Sequence, residues 1–178
     1  MKVIVVYESL WGSTAAVARA IAEGFGPEAR ALSTADASSE AIAGADLIIA
    51  GAPVHSLNLP SDQTREWARM GHMGPGGAAP DLSHPMLRTW LEQLPKGNGC
   101  AAAFDTRVKS WYGWGAASKI LARLGRAGYA PLMDPRGFYV TGHPILPRTN
   151  GVLCDGEAER ARRWGADLSR AMARLTHR

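Results

Sequence analysis

The chain has little cysteine, no long apolar run and neither of the common glycine-rich nucleotide signatures. Two of its 178 residues are cysteines, Cys100 and Cys154. They lie far apart and in no metal-type spacing, so they read as free thiols rather than as a disulfide framework or a zinc site. His72 and His84 have no histidine, cysteine or acid at ligand spacing, which leaves no candidate metal site. Apolar runs such as Val3 to Tyr7 and Leu47 to Ala50 are far shorter than the roughly 18 to 20 residues of a membrane span. The start carries one Lys and a short apolar stretch that runs into a turn. It lacks the layout of a signal peptide, and a cytoplasmic location is the expectation. No Gly-x-x-x-x-Gly-Lys followed by Ser or Thr occurs, which argues against an ATP or GTP P-loop. No Gly-x-Gly-x-x-Gly dinucleotide fingerprint occurs either.

What is there suits one soluble globular domain: 46% apolar and 20% charged residues are ordinary values. The net charge of +4 hides an asymmetry. Residues 1–106 carry 7 Lys and Arg against 11 Asp and Glu, whereas residues 107–178 carry 13 against 5. A basic half can attract nucleic acid or an anionic ligand. Most of these arginines fall on solvent-facing helix positions, as in ERARRWGADLSRAMARLTHR. With no zinc finger, RRM aromatic signature or continuous basic run, a nucleic-acid role is not supported.

Along the chain, short apolar runs alternate with amphipathic segments. KVIVVY reads as a buried strand. Ser13 to Phe25 reads as a helix, with Val17, Ile21 and Phe25 on one face and Gly24, Gly26 and Pro27 at its end. Glu28 to Leu32 is an edge strand, Ser38 to Ala43 a short helix, and Asp46 to Ala50 a second central strand. Ser61 to Met70 reads as a helix capped by Ser61. GHMGPGGAAPD is a loop, open to roles as a lid, a homodimer contact or a surface insert. Leu82 to Leu94 reads as a helix entered near Pro85, and Gly99 to Phe104 as a third central strand. Gly115 to Gly128 is helical. Tyr129 to Met133 and Gly137 to Thr141 are apolar pieces broken by Asp134-Pro135. Glu157 to Leu175 is a long helix. Continuous apolar strands alternating with helices predict an α/β, doubly wound, open parallel sheet with helices on both faces. On such a sheet ligands bind beyond the carboxyl ends of the strands. Three strand ends therefore matter: Tyr7-Glu8-Ser9, Gly51-Ala52-Pro53 and Phe104-Asp105-Thr106.

The first of these ends, ESLWGST, is dense in hydroxyls. Ser9, Ser13 and Thr14, the N–H groups of Leu10 to Thr14, and the positive end of the following helix form a cradle for phosphate that needs no lysine. Gly12 lets the backbone curl and approach a ligand closely. Helix capping by Ser13 or Thr14 is the competing reading of the same residues.

YESLWGSTAAVARAIAEGF resembles the first strand, phosphate loop and first helix of the flavodoxin family, whose members hold FMN non-covalently. Ser9, Gly12, Ser13 and Thr14 match the family loop, with Leu10 and Trp11 in its variable places. GAPVHSLNLP resembles the second family loop and FDTRVKSWYGWG the third, all in register with the strand order. The resemblance spans essentially the whole chain and implies a five-stranded sheet of order 2-1-3-4-5. It implies FMN as cofactor, with its phosphate on loop one and its ring bordered by Pro53, Val54, His55 and Ser56. Backbone groups of Asp105, Thr106 and Arg107 would then meet the pyrimidine edge. Arg107 would face the reduced ring's charge, and Trp111, Tyr112 or Trp114 would stack beside Gly113. The implied activity is electron transfer, or a small flavin-dependent oxidoreductase, with a redox partner protein or a small-molecule acceptor of quinone type.

The chain departs from that pattern in two ways. The family's one-electron shuttles are typically acidic, and this chain is basic. Many place a glycine in the second loop, and VHSLNLP has none. A rival reading is a binding or regulatory module of the same fold without redox turnover. A receiver-type signalling domain is rejected, because Gly51-Ala52-Pro53 offers no phospho-accepting Asp and only Glu8 follows the first strand.

Overall fold

The computed structural model describes residues 1–71, 74–109, 115–142 and 151–176. The elements in chain order are β1 (Val3–Tyr7), α1 (Ser13–Phe25), β2 (Ala29–Ser33), α2 (Ser39–Ile42), β3 (Leu47–Pro53), α3 (Asp62–Gly71), α4 (Leu87–Glu92), β4 (Cys100–Val108), α5 (Ala117–Arg126), β5 (Ala130–Pro131), β6 (Arg136–Val140) and α6 (Glu157–Thr176). A single 3₁₀ turn covers Pro75–Gly77. The strands form one parallel sheet of order β2-β1-β3-β4-β5, with β6 also on β4. Among the described residues no helix is long and apolar enough to cross a membrane.

The sheet sorts its side chains with a period of two. Val3 and Val5, Leu47 and Ile49, and Ala102 and Phe104 face one layer, built from α1 and α6. Ile4 and Val6, Ile48 and Ala50, and Ala101 and Ala103 face the other, built from α2, α4 and α5. Burial on both faces is why these strands read as unbroken apolar runs. The fifth position of the sheet is split. Partners are offset by 30 residues where β4 meets β5, Cys100 with Ala130, and by 32 where it meets β6, Phe104 with Arg136. Two residues are looped out around the break that Asp134-Pro135 marks in the sequence.

Two expected boundaries move. Strand β4 runs to Val108 rather than Phe104, because β3 pairs with it as far as Thr106 and β6 as far as Val108. The expected helix from Leu82 shrinks to Leu87–Glu92. Backbone groups of residues 84–87 are engaged elsewhere: Pro85 O accepts from Thr34 Oγ1, His84 O from Arg65, and Leu87 N donates to Glu8.

Helices α1 and α6 touch backbone to backbone. A Cβ on Gly24 would lie 1.8 Å from Arg162 O, and one on Gly165 would lie 2.1 Å from Ile21 O. Gly24→Ala and Gly165→Ala should each therefore lower the unfolding free energy by about 1–3 kcal/mol through overpacking. Gly125→Ala in α5, where a Cβ meets nothing within 4 Å, should instead raise it by up to about 1 kcal/mol. Urea denaturation of the three variants checks this, and a common direction of change would refute the close helix contact.

Candidate functional site

The carboxyl ends of β1, β3 and β4 lie side by side, with Tyr7 beside Gly51 and Pro53 beside Thr106. Beyond β1 the chain turns through residues 8–12 into α1. Gly12 makes the turn with φ 93°, in the left-handed region, and a Cβ there would meet nothing within 4 Å. The N–H groups of Ser13, Thr14 and Ala15 have no acceptor among the described residues, while Ala16 N closes the first helical bond on Gly12 O. The positive end of a 13-residue helix thus carries three amides with no acceptor among the described residues, an arrangement that suits an anion.

The hydroxyls are engaged differently from the amides. Ser9 Oγ accepts from Gly12 N at 3.1 Å, Ser13 Oγ donates to Gly151 O at 2.5 Å, and Thr14 Oγ1 lies 2.7 Å from Thr106 Oγ1. The last pair is buried and ties the helix start to β4. Leu10 is buried, and its carbonyl accepts from Asp81 N at 2.8 Å. Trp11 donates through Nε1 to Ala78 O at 3.1 Å. Its indole packs where a Cβ on Gly74 would stand, and its ring centroid is 6.4 Å from that of His55. The described part of the 71–80 loop therefore packs on loop one.

In the second loop, Val54 N bonds Thr106 O at 2.9 Å, and His55 and Asn58 exchange both backbone bonds around a two-residue tip. Ser56 and Leu57 have φ values of 49° and 64°, the left-handed pair of a type I′ turn, here without glycine. Lys119 Nζ donates to Leu57 O at 3.3 Å. His55 is half-buried, and burial, followed by the charge of Arg65, pushes its pKa down to about 4. The imidazole is neutral at pH 7 and is a weak candidate for proton donation.

Asp105, Thr106 and Arg107 lie inside β4, so their backbone groups belong to its ladders with β3 and β6. Asp105 is fully buried. Its Oδ2 accepts from Ala117 N at 2.9 Å at the start of α5, and Oδ1 lies 3.0 Å from Arg107 Nε. Burial pushes its pKa up, against the pull of Arg107 and of the Ala117 and Ala116 amides. The Arg107 guanidinium lies against Gly115 and Gly137, where a Cβ would come within 2.3 and 1.9 Å of it. Trp111 and Gly113, with Tyr112 and Trp114, lie outside the described residues.

The sequence reading missed a buried polar cluster under loop one. Glu8 is fully buried; Oε2 accepts from Leu87 N at 2.8 Å, and Oε1 lies 3.7 Å from Arg65 Nε. Burial pushes its pKa up, opposed by the Leu87 amide, Arg65, His84 and Arg88. His84 places Nε2 2.9 Å from Ser9 O. A charged residue directly after a buried strand was the available signal, since such a residue must find partners.

Neither a family model nor a curated protein matches the sequence. Solved structures do. A flavodoxin from the domain Archaea superposes with a TM-score of 0.63 at 21% identity, over 97% of this chain and 99% of that one. An oxidised flavodoxin from Bacillus cereus gives 0.60 at 19%, over 96% and 98%. The chain has the flavodoxin fold. The flavodiiron core from Synechocystis gives 0.61 at 18% identity, covering 98% of this chain and 36% of that one. The flavodoxin fold places loop one, the 55–58 hairpin and the end of β4 at one edge of the sheet, as the strand register shows.

The folded pKa of His55, about 4, lies below the unfolded value of about 6.5. Its neutral form contributes stability fully above pH 6.5, and that contribution is lost as pH falls toward 4. Glu8 and Asp105, with raised values, act with the opposite sign. His55→Gln should therefore lose less stability than the native chain between pH 7 and 4.5, by at most about 3 kcal/mol. Urea midpoints at the two pH values check this; parallel losses would contradict it.

Proposed function

We propose that this chain binds FMN and serves in electron transfer, or as a small flavin-dependent oxidoreductase, handing electrons to a redox partner protein or a small-molecule acceptor. One observation carries the reading: the amides of Ser13, Thr14 and Ala15 have no acceptor among the described residues and follow a left-handed Gly12, at the carboxyl edge of a flavodoxin-fold sheet. A phosphate monoester accepts from several such donors at once and matches their partial positive charge. The residues present therefore fit the group.

In this reading loop one, Ser9 to Thr14, holds the phosphate through backbone N–H groups, and the hydroxyls hold the loop itself in shape. Pro53 to Ser56 border the ring on one side. Arg107, partly exposed and fixed by Asp105, supplies positive charge near the β4 end. His55 presents a neutral ring. Bound FMN would supply the one- or two-electron chemistry, while the protein sets access and electrostatics. The cytoplasm is the compartment this reading assigns.

The purified chain should be yellow, or become so on addition of FMN, with quenched flavin fluorescence. Gly12→Asp should lower FMN affinity at least 100-fold, because it sets a carboxylate before the amides, while Asp tolerates the left-handed backbone. Normal uptake by this variant would remove the phosphate assignment. A colourless native chain that takes up no added FMN would favour the binding-module reading.

A further inference from the structure

Loop one contains neither lysine nor arginine, so its fitness for an anion depends on where its peptide planes point. A trans peptide directs its C=O and the next N–H to opposite sides. His84 Nε2 lies 2.9 Å from Ser9 O, so that nitrogen carries the donated proton and turns the Leu10 N–H the other way. Asp81 N, bonded to Leu10 O at 2.8 Å, does the same to the Trp11 N–H. Neither of these N–H groups has an acceptor among the described residues. The segment from Asp81 to Leu87 therefore holds the carbonyl side of loop one.

That segment is itself anchored. Asp81 Oδ1 accepts from Ser83 N and Ser83 Oγ at 3.0 and 2.6 Å. Arg65 Nη2 donates to His84 O at 2.9 Å, Thr34 Oγ1 to Pro85 O at 2.6 Å, and Leu87 N to Glu8 at 2.8 Å. His84 is buried at 8% exposure, in the electrostatic reach of Glu8 and Asp81. It is the side chain of this segment that reaches loop one directly.

We propose that His84 is a positioning residue of the anion site: by holding the Ser9 carbonyl it turns the Leu10 amide away from the 81–87 segment, and with Asp81 N on the Leu10 carbonyl it fixes the peptide planes that lead into the phosphate-binding amides. The inference rests on the FMN reading for its ligand but not for its geometry. Its test uses the full chain with His84→Phe, which keeps a ring but no donor, and His84→Gln, which restores an N–H at similar reach. FMN affinity is read by flavin fluorescence quenching, loop geometry by ¹H–¹⁵N shifts of residues 10–15 without FMN, and folding by the thermal midpoint. His84→Phe should weaken FMN at least tenfold and shift the amides of Leu10 and Trp11. His84→Gln should recover affinity to within about threefold of native and restore the shifts. Native affinity in His84→Phe, or no recovery in His84→Gln when both variants fold, overturns the proposal. If the native chain itself takes up no FMN, the functional reading fails and the shifts decide alone: unchanged Leu10 and Trp11 amides in His84→Phe overturn the proposal, and moved amides restored by Gln support it.

Discussion

Strand β1 has parallel neighbours on both sides and apolar layers on both faces, so its chain leaves only through its carboxyl end. Everything at the site is built on that exit. The first residue out, Glu8, is still fully buried, and a buried carboxylate must be hydrogen-bonded or paired. It takes the Leu87 N–H and faces Arg65, which fastens α3 and the start of α4 to the end of β1. The loop that follows is thus born in a fixed place rather than on a free surface.

Helix α1 is constrained at both ends. At its start the Thr14–Thr106 bond ties it to β4, and toward its end Gly24 and Gly165 allow the backbones of α1 and α6 to touch. A helix held this way cannot swing its amino end, so the direction of its first amides is set by the protein itself. Preorganisation of that kind reduces the ordering cost of binding. It also explains why the hydroxyls of Ser9, Ser13 and Thr14 are all engaged within the protein. They stiffen the frame, and the backbone amides of Ser13 to Ala15 are left without acceptors among the described residues.

Much of this was legible in the sequence, for physical reasons. Periodicity gave α1 to the residue, because Val17, Ile21 and Phe25 share a face and Gly26 with Pro27 stops the helix. The sheet order came from the family resemblance and not from periodicity, and Asp134-Pro135 marked the break in the fifth strand. The expected β4 stopped too early because Asp105 looks like a loop residue, although the carboxylate is buried at the start of α5. The expected α4 ran too far because nothing in residues 82–85 shows that the carbonyls of His84 and Pro85 are bonded to other elements. The Gly151 carbonyl on Ser13, 138 positions away, has no local signal at all, and the His84 contact with Ser9 has only a histidine to mark it.

The second loop shows why a residue count cannot stand in for a conformation. VHSLNLP has no glycine, yet Ser56 and Leu57 both adopt left-handed backbone. For residues with a Cβ this costs roughly 1–2 kcal/mol each, and it persists only where surroundings enforce it. The enforcement is visible: the paired His55–Asn58 backbone closes the hairpin, and Lys119 holds the Leu57 carbonyl. A glycine at either position would remove most of that cost, because it has no Cβ to strain.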